Sequence, residues 1–128
     1  MATWNDIQKH MRGKYKLADD QPDMMSMVWT YEEGRHQKII VRRFEAAGQD
    51  MVEFKSAFAR KGQVEPEVLL RDNAQLPLAT AALSGDVYLV VYNALIRTLD
   101  DASFEFILAR VAAVADTLEE KYGSSDAF

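Results

Sequence analysis

Chemistry has few carriers in this chain. His10 and His36 are its only histidines, so they alone offer imidazole for proton transfer near neutral pH. No H-E-x-x-H spacing or compact carboxylate cluster accompanies them, so the sequence indicates no transition-metal site. Both are expected to face solvent, His10 late in an N-terminal helix and His36 just after a turn. Acidic side chains gather at Asp19, Asp20 and Asp23, and again at Asp100 and Asp101. Neither run has the alternating ligands of a calcium loop. The first reads as a solvated linker and the second as helix capping. Paired carboxylates do acid–base work only where a fold fixes their separation beside a pocket. Ser26, Ser56, Ser84 and Ser103 lack the surroundings of a nucleophile elbow. Gly34, Gly48, Gly62 and Gly85 are dispersed turn glycines, not a phosphate loop. The absence of cysteine excludes disulfides, thiolate catalysis and thiolate ligation. No cofactor is implied.

Side chains suited to contact are more plentiful. Met24, Met25, Met27, Trp29 and Tyr31 crowd one short segment. Methionine adapts to irregular apolar partners, and Trp and Tyr are strong interface anchors. The same stripe also suits core packing. In the segment 87–96, Tyr88, Val90 and Tyr92 alternate with Val87, Leu89 and Val91, so both faces are apolar. One of them is expected to be completed by another chain. Lys9, Arg12, Lys14 and Lys16 form one basic group; Lys38, Arg42 and Arg43 form a second. At a net charge of −5, these are expected to be solvated faces rather than a nucleic-acid site.

The elements that position these residues follow from periodicity. A chain of 128 residues, 48 % hydrophobic and 27 % charged, is expected to be one domain spanning 1–128. No apolar run approaches the ~20 residues of a membrane span. The N-terminus lacks the pattern of a signal peptide, so a cytoplasmic location is expected. Thr3 and Asp6 start a first helix, carried to about Lys16 by Trp4, Ile7 and Met11. Strands are expected at 24–31, 36–45 and 51–60, joined by loops too short for crossover helices. Pro66 opens a short helix ending near Asn73. Strands at 79–83 and 87–97 follow, with 89–96 expected at the centre of the sheet. Asp101 or Ser103 caps the last helix. Its stripe of Phe104, Ile107, Leu108, Val111, Val114, Ala115, Leu118 and Tyr122 recurs at helical period, and Gly123 stops it. Ser124 to Phe128 is expected to be a loose tail.

The fold class is therefore α+β, in the order α-β-β-β-α-β-β-α, with a five-stranded, mainly antiparallel sheet packed with helices. From Trp4 to Tyr122 this order and these lengths resemble class I type III secretion chaperones and YbjN-like proteins. The resemblance lies in element order, not in a signature motif. It implies a homodimer, with the strand from Val87 to Ile96 near the interface, and an extended client segment bound on apolar patches. Met25, Met27, Trp29, Phe54 and Phe58 are then core or client-facing positions, and Tyr31, Tyr88 and Tyr92 complete the candidate protein-binding set. The expected function is non-catalytic, chaperone-like protein binding. The alternative is a small enzyme or ligand-binding domain with an unrecognised pocket.

Overall fold

A computed structural model describes residues 1–123. The expected tail, Ser124 to Phe128, lies outside the described residues. The order is α1 (Trp4–Lys14), β1 (Leu17–Gln21), β2 (Met24–Thr30), β3 (His36–Ala46), β4 (Gln49–Arg60), α2 (Pro66–Asn73), β5 (Thr80–Ser84), β6 (Val87–Leu95), a 3-10 turn (Ile96–Thr98) and α3 (Asp101–Tyr122). Six strands form one antiparallel sheet in the order β1-β2-β3-β4-β6-β5.

The sixth strand corrects the expected five. The acidic segment from Asp19 to Asp23, expected to be a linker because of its charge and Pro22, instead gives its first three residues to β1. As a short edge strand, β1 finds partners for both carboxylates. Asp19 accepts from Ser26 Oγ at 2.5 Å and pairs with Lys38 at 3.1 Å; Asp20 binds Arg12 through two bonds of 2.8 Å. Charge on an edge strand also discourages pairing with other chains. A second correction concerns β6, which lies beside β5 near one edge rather than at the centre. Its apolar character on both faces does not require a central place.

α1 and α3 cover one face of the sheet. Alternation directs Met25, Met27, Ile39, Val41, Val52, Phe54, Phe58 and Val90 toward them, and all are buried. α3 packs mainly on β4 and also on β3 and β6. Its buried stripe includes Phe104, Ile107, Leu108, Val111, Val114, Ala115 and Leu118. Phe104 meets Phe54 with ring centroids 5.2 Å apart. Each large apolar side chain buried this way contributes ~1.5–3 kcal/mol, which makes α3 the main closure of the core. The cap of α3 is Asp100 rather than Asp101 or Ser103: Asp100 accepts from the Ser103 amide at 2.7 Å, and Ser103 Oγ accepts from the Asp100 amide at 3.0 Å. Thr3 and Asp6 form the corresponding box on α1. Between β3 and β4, Ala47 and Gly48 both take positive φ, 52° and 74°, which matches the twist of a two-residue hairpin.

Candidate binding surfaces

The helix-free face of the sheet is built from the alternate residues of the same strands. Register lines up Phe44, Met51 and Leu95 in one row across β3, β4 and β6. The next row reads Arg42, Glu53 and Asn93; Arg42 Nε donates to Glu53 at 3.1 Å, and Lys55 Nζ lies 3.2 Å from the same carboxylate. Burial opposes ionisation of Glu53, but the Arg42 and Lys55 contacts outweigh it and hold its carboxyl below the usual range. A third row joins Ser26, Ile40, Lys55 and Val91, and Leu89 stands beside Ala57 and Ala82. Ile40, Phe44, Met51, Leu89, Val91 and Leu95 are half-buried, and Val28 is 45 % exposed. The face is therefore an apolar surface crossed by a neutralised charged row.

The candidate protein-binding residues divide by exposure. Met25, Met27, Phe54, Phe58 and Tyr88 lie in the core beneath the helices. Trp29, Tyr31 and Tyr92 are half-buried. Trp29 packs beside Tyr15, ring centroids 6.4 Å apart, near the β1 edge. Among the described residues, the Tyr31 hydroxyl is buried without a hydrogen-bond partner; burial first, and Asp116 second, push it up to about 12. In β6 the helices cover the face of Tyr88 and Val90 and leave Val87, Leu89 and Val91 on the open side. Sequence reasoning passed over the exposed Leu70, Leu83 and Phe106. Phe106 had a readable signal, since it falls off the buried stripe of α3.

His10 does not face solvent as expected. It is half-buried, its ring sits edge-on to Phe104, and its Nε2 lies 2.8 Å from Glu105. Glu105 also accepts from Lys14 Nζ at 2.8 Å and from the Tyr15 hydroxyl. Burial opposes ionisation of Glu105, but the bonds from Lys14, Tyr15 and His10 together keep its carboxyl below the usual range. Burial and the facing Glu105 push the Tyr15 hydroxyl up. This cluster ties the end of α1 to the start of α3. His36 opens β3, paired with Thr30. Asp100 serves α3 as its cap. The second basic group is matched by acids, with Lys38 near Asp19, Arg42 near Glu53 and Arg43 2.5 Å from Asp50. Among the described residues, no group of three His, Asp or Glu side chains is placed to hold a metal ion. No helix among them is long and apolar enough to cross a membrane.

Comparison with known proteins finds the fold but no sequence family. No family model matches the chain, and no curated protein matches it. A solved structure described as the HopA1–SchA chaperone–effector complex contains a similar chain. The TM-score is 0.64 at 10 % identity, covering 90 % of this chain and 89 % of that one. The likeness is one of architecture: the chain has the fold of a protein solved within a chaperone–effector assembly.

Proposed function

We propose that this protein is a non-catalytic, chaperone-like binder of polypeptide that acts as a homodimer in the cytoplasm and holds an extended client segment. One observation carries the reading: helices cover a single face of the sheet, and the other face presents Phe44, Met51, Leu95, Leu89 and Val91 as a half-exposed apolar surface. Removing such area from water favours association. The architectural likeness to a chain of a chaperone–effector complex supports the same reading. It favours the type III secretion chaperones over the YbjN-like proteins, for which no comparison speaks.

Within this reading, the open face of β6 meets the second subunit. Trp29 and Tyr92, on the helix side of the sheet opposite the subunit contact, touch the client together with Tyr31, because they retain surface. Met25, Met27, Phe54, Phe58 and Tyr88 form the wall behind them. Rim charges and strand backbone position the client, and apolar contact supplies affinity. The experiment is affinity capture from native lysate, with mass spectrometry of the partners, limited proteolysis of the complex, and light scattering for subunit number. One partner held through a segment that is disordered when alone, on an assembly with two copies of this chain, is the expected result. Capture of folded partners only, or a monomer in the complex, would overturn the proposal.

A further inference from the structure

We propose that the side-chain amide of Asn73 closes the β5 edge of the sheet to pairing with a strand of another molecule. Among the described residues, β5 is last in the sheet order and hydrogen-bonds only β6 as a strand neighbour. Asn73 Oδ1 accepts from the Ala81 backbone N–H at 2.8 Å, and Asn73 Nδ2 donates to the Ala81 carbonyl at 3.3 Å. Ala81 stands opposite Val90. Its N–H and C=O therefore point away from β6, as in a non-hydrogen-bonded antiparallel pair. A carboxamide offers the same donor and acceptor as a peptide group. Asn73 thus occupies the place of one peptide unit of a further strand.

The plug is held from two sides. Asn73 is the last residue of α2, whose Leu69 is buried in the core. Its neighbour Asp72 accepts from Lys121 Nζ at 2.6 Å and from the Tyr122 hydroxyl, both on α3. The two sheet edges differ in what protects them. β1 carries Asp19 and Asp20, whereas β5 reads Thr-Ala-Ala-Leu-Ser, with no charge and no proline. An uncharged exposed edge is a template for intermolecular pairing, so β5 depends on the amide. Without it, antiparallel self-pairing centred on Ala82 sets Ala81 opposite Leu83 of a second copy. That leucine then lies over the apolar groove lined by Leu69, Leu70 and Tyr88.

Because the natural chain has no cysteine, one introduced thiol reports the pairing. Ala82 is exposed, and in the centred register two copies of it form a non-hydrogen-bonded pair. Their Cα atoms then lie about 4.5 Å apart, a distance a disulfide spans. The full chain with Ala82→Cys is compared with Ala82→Cys plus Asn73→Ala under mild oxidation, with circular dichroism to verify folding. Covalent dimer is expected to form at least about tenfold faster in the double variant, together with a larger mass by light scattering. Equal rates in the two folded proteins, or fast cross-linking with Asn73 intact, would overturn the proposal. If Asn73→Ala does not fold, Asn73→Asp takes its place. It keeps the acceptor for Ala81 N–H but sets an oxygen against the Ala81 carbonyl, and a rate equal to that of Ala82→Cys alone again refutes closure. The comparison needs no client and holds for any subunit number of the natural chain.

Discussion

Replacing Glu105 by glutamine keeps the shape of a side chain on which three donors converge, and removes its charge. His10 and Lys14 each lie 2.8 Å from the carboxylate, and the Tyr15 hydroxyl completes the set. Glutamine has one acceptor oxygen, so its amide N–H faces either His10, which must then accept through Nε2 in its other tautomer, or the Lys14 and Tyr15 donors. Lys14 is half-exposed, so its share is screened and small. His10 and Glu105 are more sheltered, with side chains 16 % and 22 % exposed. Hydrogen bonds to charged groups contribute ~1.5–3 kcal/mol each when buried. With the partial exposure discounted, the expected loss at pH 7 is about 2 kcal/mol. For a domain of this size that lowers the melting temperature by about 4–8 °C.

The pH dependence gives this prediction its sign. The folded-state carboxyl is held below its ordinary value of 4.5. Its contribution is therefore present above that value and is lost as pH falls through the lower folded value. Urea unfolding followed by circular dichroism, from pH 7 down to pH 3, is the assay. The gap between natural and variant proteins is expected to shrink as the natural Glu105 takes up its proton. A gap of equal size at both ends of this range, or no gap at pH 7, would refute the role given to the carboxylate.

The remaining predictions concern α3. Leu118→Ala should cost about 2–5 kcal/mol in urea unfolding, because Leu118 is buried in the helix–sheet contact. Val111→Asp, at a fully buried position, should abolish the cooperative transition by placing an unpartnered charge in the core. A native-like melting curve for Val111→Asp would contradict the packing of α3. Asp100→Ala should lower the melting temperature by removing the acceptor of the Ser103 amide, while Asp100→Asn should lower it less; equal losses would show that the cap is not the cause.

Local rules carried much of the fold. The stripe from Phe104 to Tyr122 repeats at helical period over a length that only a helix satisfies, so α3 was legible. Pro66 and Asn73 bounded α2 for equally local reasons, and short turns forced β2, β3 and β4 into antiparallel neighbours. β1 was not legible, because Asp19 and Asp20 look like solvated linker until Lys38, Ser26 and Arg12 arrive from other elements. Nor was the place of β6: an apolar strand reads the same at the centre of a sheet as beside an edge.

For the binding surface, alternation separated Tyr88, Val90 and Tyr92 from Val87, Leu89 and Val91, but it could not tell which set the helices would cover. That choice depends on where α1 and α3 dock, which is a property of the packed sheet. The roles of His10, Glu105 and Asn73 are decided in the same way. Each acts through atoms 8 to 95 residues distant along the chain. The sequence by itself determined the three α-helices and strands β2 to β6, because those choices rest on neighbours within a few residues. The tertiary structure decided which face stays open and which edge is closed, because those depend on contacts that exist only once the chain has packed.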